Sequence, residues 1–323
     1  MITDKINQTI LPKNQLQLFG YIEYFKYFIQ LSEQESIPNT ILITGQKGIG
    51  KSTFAYHIIN YLLSKGEDNP YDINTNRINN TNLSYKLVTK SIHPNFYILD
   101  SNLVQENIKI QQVRNLIKFL NKTVYSKNLK IIMIDNAEHL NLNASNALLK
   151  AIEEPNNNTI FFIIQNSASK ISKTLKSRCN EFKIFFSHNK KKDIFKNMLN
   201  YYEIETYSDF FEDNLYFDTP GNTLKYYFLF KEKNIDPNKH LLEAILFLIE
   251  KYQIEKTPEI LSFLSYFIEN FYLNLSKSKK NHLSKLFFDQ SNILEQIQAI
   301  KKYNLNDKNV FLYIKNKLIN ETR

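Results

Sequence analysis

The chain has 323 residues, of which 43% are hydrophobic and 23% are charged, so it is long enough for two or three domains and too apolar for a disordered protein. Its formal net charge of +9 permits contact with a polyanion such as DNA but does not identify one. The single cysteine excludes an internal disulfide bond, no apolar run is long enough to predict a membrane span, and the first residues lack the order of a secretion signal, so we expect a cytoplasmic protein with no membrane partner.

The predicted elements begin with a helix over about Leu16–Leu31. A strand over Ile41–Thr44 then leads into the glycine-rich segment Gly45–Ser52, and a helix with one apolar face follows it. Residues 65–89 have no clean periodicity and are expected to form an irregular insertion.

Four more short apolar strands are expected. Two helices are expected between them, one that begins at Ile108 and one around Ala144–Ile152. These strands are Phe96–Leu99, Lys130–Ile134, Thr159–Ile164 and Glu181–Phe186. Strands of this kind that alternate with helices are typical of a parallel sheet covered on both faces. Ligands of such sheets bind at the carboxyl ends of the strands. We therefore predict an α/β domain.

After Phe186 the strand pattern stops and the remaining chain is predicted to be helical. Four long amphipathic helices are expected at about 238–252, 257–276, 282–302 and 307–320. The lysine run within Asn189–Asp193 could contact DNA, but a solvated helix face is the favoured interpretation.

The segment Gly45–Ser52 has the spacing of a phosphate-binding loop between a strand and a helix. Its glycines let backbone N–H groups approach phosphate oxygens, Lys51 would reach the β- and γ-phosphates, and the Ser52 hydroxyl would bind Mg²⁺. The expected cofactor is ATP or ADP with Mg²⁺. The predicted nucleotide-binding residues of the loop and its helix are Gly45, Gly48, Ile49, Gly50, Lys51, Ser52 and Thr53.

Asp135 directly follows the predicted strand Lys130–Ile134 and is predicted to hold Mg²⁺ together with Ser52. Hydrolysis needs a base or an orienting group for the attacking water, and ATPases of this class usually supply a carboxylate at the next position. That position carries Asn136, whose amide can hydrogen-bond water but cannot take its proton at neutral pH. Glu138 could substitute for a carboxylate there, although its offset from Asp135 is different.

Three segments together resemble the clamp-loader branch of the AAA+ ATPases: Asp135–Leu140, Asn146–Pro155 and Ser177–Cys179. The predicted helix that begins at Ile108 also resembles the helix that follows the insertion in that family. The resemblance covers about residues 36–186 and extends to the rest only by architecture. It implies a P-loop NTPase (AAA+) domain over residues 1–187, a small helical lid domain over 188–235 and a helical collar domain over 236–323 that mediates oligomerisation.

The same resemblance assigns roles to individual residues. Asn166 looks like a sensor of the γ-phosphate, with a turn-forming asparagine as the alternative. Arg178 matches an arginine finger that acts on the nucleotide of a neighbouring subunit, with a local salt bridge as the alternative. Gly221 stands where active relatives carry a nucleotide-sensing arginine. Many relatives have a four-cysteine zinc module, but residues 65–95 contain no cysteine, so no zinc site is expected.

The resemblance implies a subunit of a bacterial DNA polymerase III clamp loader, which places a sliding clamp on primed DNA at the nucleoid-associated replisome. Its expected partners are gamma/tau-type and delta-type subunits in a heteropentamer, the clamp, and primed DNA contacted without sequence preference. It would belong to a DNA-directed DNA polymerase holoenzyme, a nucleotidyltransferase complex.

Asn136 and Gly221 together predict weak or absent ATP hydrolysis by the chain itself. Whether ATP is hydrolysed or ADP retained stays open. The alternatives are a hydrolytically active gamma/tau-like motor subunit and a small-molecule P-loop kinase.

Overall fold

The computed structural model describes residues 11–101, 107–121, 129–155, 158–204, 209–216, 218–278, 283–303 and 307–322. The chain divides into two compact units, Met1–Glu205 with Asn214–Lys225, and Thr206–Asp213 with Tyr226–Arg323. The three domains with boundaries at 187 and 235 stay a prediction.

The first unit alternates strands and helices. Its strands are β1 Thr40–Gly45, β2 Phe96–Leu99, β3 Lys130–Ile134, β4 Thr159–Asn166 and β5 Asn180–Lys183. Its helices are α1 Ile22–Glu33, α2 Lys51–Ser64, α3 Leu83–Thr89, α4 Ile110–Leu120, α5 Leu142–Glu153, the single turn α6 Lys173–Lys176 and α7 His188–Tyr201. The remaining helices are α8 Asp209–Asn214, α9 Pro220–Lys231, α10 Leu241–Glu255, α11 Pro258–Ser278, α12 Leu283–Tyr303 and α13 Asp307–Thr322.

The five strands form one parallel sheet in the order β2-β3-β4-β1-β5, which confirms the predicted α/β fold. Alternate residues of β1 enter two separate cores, as the period of two in a strand requires. Ile41 and Ile43 pack with α1 and α2, while Leu42 packs with α4 and α5 on the other face. The central strands of the sheet are therefore buried on both sides, and its carboxyl edge is left for the phosphate-binding loop.

The predicted helix over Leu16–Leu31 is wrong in its first part. Helix α1 begins only at Ile22, because the backbone before it bonds to the insertion: Ile78 N–H donates to the carbonyl of Leu16 at 2.9 Å. The insertion is more ordered than predicted, since it contains α3, whose N-terminus is capped by the Asn82 side chain. Strand β5 ends at Lys183 rather than Phe186.

The second unit is helical, as predicted, and its long helices α10–α13 begin and end within three residues of the expected positions. Their apolar stripes form its core, with Ile245, Leu248 and Ile249 of α10 fully buried. Within the described part of the chain, no helix combines the length and apolar character needed to span a membrane.

Candidate nucleotide-binding site

The segment Gly45–Ser52 lies between β1 and α2, as a phosphate-binding loop does. Gly48 and Gly50 have φ angles of +81° and +99°, a region that residues with a side chain rarely adopt. A Cβ on Gly45 would lie 2.8 Å from the carbonyl oxygen of Ile184. Three glycines are therefore required by the loop's own geometry.

Lys51 is the first residue of α2 and is almost fully buried. Its ammonium group donates to the carbonyl oxygens of Gly45 at 2.8 Å and Gln46 at 2.9 Å. Burial lowers the pKa of Lys51 to about 8, against the opposing effect of the Glu138 and Asp135 carboxylates. The positive charge is thus held inside the loop, where the helix N-terminus also favours an anion.

The fold brings together Ser52 and Asp135, which are 83 positions apart in the sequence. The Ser52 hydroxyl donates to Oδ1 of Asp135 at 3.0 Å. Burial raises the pKa of Asp135 to about 6, and the Ser52 hydrogen bond opposes this increase. A hydroxyl and a carboxylate at this distance are oxygen ligands of the type that Mg²⁺ takes, so these residues fit the expected ion.

Tyr21 is a residue of this site that the sequence did not identify. Its hydroxyl donates to the carbonyl oxygen of Ile49 at 3.0 Å, and its ring stacks on Phe54 with 4.6 Å between centroids. Tyr21 supports the loop from behind, beside Gly50. The remaining predicted residue, Thr53, lies in the first turn of α2 and is half-buried. The sequence carried no signal for the Tyr21 contact, because Tyr21 lies within the predicted helix Leu16–Leu31, whereas the helix begins only at Ile22.

The start of α9 contacts the loop as well. The Thr219 hydroxyl donates to the carbonyl oxygen of Lys47 at 3.1 Å, and the Asn222 amide lies 3.5 Å from the same oxygen. A Cβ on Gly221 would lie 2.5 Å from the carbonyl oxygen of Gly48. No side chain, and hence no arginine, fits at Gly221 while this contact is made.

Lys191 corrects the interpretation of the lysine run as a solvated face. Lys190 is exposed and Lys192 is half-buried, whereas Lys191 is buried and donates to the carbonyl oxygen of Asp218 at 2.8 Å. Its ammonium group also lies 3.4 Å from Oε1 of Gln46 in the loop. Burial lowers the pKa of Lys191. The helix α7 therefore links the loop to the start of α9.

Asn136 has a φ of +54°, and its side-chain amide donates to Oδ1 of Asp100 at 3.1 Å. Glu138, the alternative carboxylate, accepts a hydrogen bond from the backbone N–H of Asn166 at 3.2 Å. Asn166 pairs with Gly45 across β1 and β4, so it lies beside the loop. Its side-chain oxygen accepts from the N–H of Ala168 at 3.2 Å, which is a turn contact.

Arg178 lies away from the loop. Strand β5 starts level with Ile41, four residues and about 13 Å of strand before Gly45, and Arg178 precedes that start. Its Nε is 2.6 Å from Oε1 of Glu153, and its Nη1 donates to the carbonyl oxygen of Thr174 at 3.0 Å. Because parallel strands share one direction, Arg178 is at the amino edge of the sheet and the loop at the carboxyl edge.

The insertion contains no cysteine, and a hydrogen-bonded cluster lies there. The Glu67 carboxylate accepts from the backbone N–H of Leu83 at 2.9 Å and from the hydroxyl of Ser84 at 2.5 Å. Among the described residues, no group of three or more metal-binding side chains occurs. The one cysteine, Cys179, donates its thiol to the carbonyl oxygen of Leu175, and burial raises its pKa to about 11.

The chain is similar in sequence to known proteins. A family described as "DNA polymerase III, delta subunit" matches residues 22–187. A protein of Pseudomonas aeruginosa named DNA polymerase III subunit delta' is 30% identical over 150 residues, which cover 46% of this chain but only 44% of that protein. One of the same name from Buchnera aphidicola subsp. Baizongia pistaciae is 27% identical over 282 residues, 85% of this chain and 69% of that protein.

Among solved structures, a gamma subunit-related protein of DNA polymerase III from Thermotoga maritima is similar to this chain. The TM-score is 0.48 at 16% sequence identity, and the similarity covers 92% of this chain and 99% of that one.

Proposed function

Because the chain belongs to the DNA polymerase III delta subunit family, we propose that it is a delta'-like subunit of a bacterial clamp loader. Together with gamma/tau-type and delta-type subunits in a heteropentamer, it would help to place a sliding clamp on primed DNA. The motifs Asn146–Pro155 and Ser177–Cys179 support this subunit type, and the family match favours it over a small-molecule P-loop kinase.

The position of Arg178 carries the proposal. A guanidinium at the amino edge of the sheet cannot reach a nucleotide bound at the carboxyl edge of the same subunit, about 13 Å or more away. It is 40% exposed and can be presented to another chain. Its role would be that of an arginine finger, which stabilises the charge on the phosphoryl group being transferred in a neighbouring motor subunit.

The chain's own loop is proposed to bind ATP or ADP with Mg²⁺ and to hydrolyse it slowly or not at all. Lys51 would hold the phosphates, while Ser52 and Asp135 would hold the ion, which neutralises phosphate charge when it is bound. Asn136 can hydrogen-bond a water molecule but cannot take its proton. The contact of Gly221 with Gly48 leaves no room for a nucleotide-sensing arginine.

The test is Arg178→Ala in a clamp loader reconstituted with motor subunits, clamp and primed DNA. Hydrolysis at the one neighbouring site should fall at least ~100-fold, so the total DNA-dependent ATPase should lose that site's share. Nucleotide binding by this chain alone should stay unchanged, because Arg178 lies away from its loop. The exposed neighbour Lys173, changed to Ala, is the matched control and should retain full activity.

Full ATPase in the Arg178→Ala complex would refute the finger assignment. Rapid turnover by the isolated chain would instead favour the alternative of a gamma/tau-like motor subunit. The two measurements therefore separate the role of Arg178 from the activity of the chain's own site.

A further inference from the structure

A carboxylate lies beside the position where the sequence lacks one. Asp100 is the first residue after β2 and Asn136 is the second residue after β3. These strands are hydrogen-bonded neighbours, with Leu99 paired to Ile134. The N–H of Asp135 donates to the carbonyl oxygen of Leu99 at 2.8 Å, which continues the pairing to the strand ends. This register places the Asp100 carboxylate 3.1 Å from the Asn136 amide.

The orientation of the Asn136 amide follows from its partner. An ionised carboxylate can only accept hydrogen bonds, so the NH₂ group of Asn136 must face Asp100. The amide oxygen is then the group of Asn136 that remains to accept a hydrogen bond from water. The left-handed backbone at Asn136 also limits where the side chain can lie, and asparagine tolerates that conformation better than most residues.

The other carboxylates around the loop are engaged elsewhere. Asp135 accepts the hydroxyl of Ser52 and the N–H of its own neighbour, and Glu138 accepts the N–H of Asn166. Of these three acidic side chains, Asp100 alone is hydrogen-bonded to the side chain of Asn136. The Asp100 carboxylate therefore determines which side-chain groups fit at position 136 and how they are oriented.

We propose that Asp100 is a positioning residue that fixes the Asn136 amide, and that the two residues form a transposed carboxylate–amide pair. The negative charge lies at the end of β2, one strand away from the position after Asp135 where hydrolysis needs it. The inference rests on the proposed function, in which this site binds nucleotide and hydrolyses it slowly.

A specific consequence is that Asp100 limits hydrolysis in addition to Asn136 and Gly221. Asn136→Glu alone would place a second carboxylate against Asp100, and like charges at this distance repel. Exchanging both, in Asp100→Asn/Asn136→Glu, restores a hydrogen-bonded pair with the charge at the other end. The introduced glutamate can then take the proton of the attacking water as the water oxygen bonds to the terminal phosphorus and the bond to the nucleoside diphosphate breaks.

The first readout needs no nucleotide. The full chain is melted at one neutral pH as Asn136→Glu and as the exchanged variant. Both carry the same cost of a glutamate in a left-handed backbone, so their difference isolates the contact with Asp100. We expect the exchanged variant to melt at least about 3 °C higher. The control is Asp68→Asn/Asn136→Glu, which removes an exposed charge elsewhere and has the same net charge as the exchanged variant. Its melting temperature should stay as low as that of Asn136→Glu.

The second readout is single-turnover hydrolysis of radiolabelled ATP with Mg²⁺ by the same proteins. The exchanged variant should turn over at least ~10-fold faster than Asn136→Glu, with nucleotide affinity within about threefold. Equal turnover in the two, recovery of melting temperature without a gain in turnover, or a gain without recovery would each overturn the proposal. Rapid turnover by the unmodified chain would contradict the proposed function, but the ratio of the two variants would still decide the role of Asp100.

Discussion

Burial shifts the pKa values of two charged side chains of the candidate site, Lys51 in the loop and Asp135 after β3, towards neutral pH. The pKa of Lys51 is lowered to about 8 and that of Asp135 is raised to about 6. In the proposed site, Lys51 would bind phosphate only when protonated, and Asp135 would bind Mg²⁺ well only when ionised. Both residues are in their binding forms between these two values.

We therefore predict that the affinity for Mg²⁺–nucleotide is highest between about pH 6 and pH 8. It should fall above pH 8 as Lys51 loses its proton, and below pH 6 as Asp135 gains one. Calorimetric titration from pH 5 to pH 9.5 measures this. Binding of the nucleotide without Mg²⁺ is the control, in which the fall in affinity below pH 6 should be smaller. An affinity for Mg²⁺–nucleotide that does not change with pH would contradict the prediction.

At the scale of elements, the start of α9 is packed against the phosphate-binding loop. The contact depends on Gly221, whose missing side chain lets the backbone of α9 approach the carbonyl oxygen of Gly48. The Thr219 hydroxyl adds a hydrogen bond to the same loop. We therefore expect binding at the loop to be coupled to the position of this helix terminus.

Gly221→Ala should push α9 away from the loop, because the new Cβ would meet backbone at 2.5 Å. We expect a loss of about 1–3 kcal/mol in the free energy of unfolding and weaker nucleotide binding. Gly66→Ala, where a Cβ meets nothing within 4 Å, is the control. It should cost only the penalty of a positive φ, about 1 kcal/mol, and leave binding unchanged. Urea unfolding and nucleotide titration test both variants, and equal binding in the two would refute the coupling.

At the scale of the whole molecule, the helical second unit presents apolar side chains to solvent. Phe287 and Phe288 of α12 are 60% and 69% exposed, and Leu312 of α13 is 60% exposed. Large exposed side chains that neighbour one another mark a surface for another protein more often than scattered ones do. This agrees with the proposed collar role of the C-terminal helices.

Phe287→Ser/Phe288→Ser should therefore weaken assembly with the proposed clamp-loader subunits by at least ~10-fold, since such side chains dominate interface energies. The isolated chain should keep its melting temperature, because neither ring is buried. Leu83→Ser, at an exposed apolar residue of the insertion, is the matched control. Size-exclusion chromatography with light scattering measures assembly, and an intact complex would contradict the prediction.

Contiguous patterns of the sequence determined most of the fold. The segment Gly45–Ser52, the buried strands and the long C-terminal helices were all read from local spacing, because a period of two or of 3.6 is a property of neighbouring residues. Ser52 and Asp135 could be paired in advance because each follows a recognisable strand. The match of residues 22–187 to one family agrees with these motifs.

The tertiary structure alone decided the contacts that depend on register between distant segments. Neither the burial of Lys191 in a lysine run nor the need for glycine at Gly221 has a local signal. Asp100 meets Asn136 only because β2 and β3 pair with Leu99 opposite Ile134. The same holds for Arg178: its place at the amino edge follows from β5 joining a parallel sheet beside β1, and strand order is fixed by packing rather than by any residue near it.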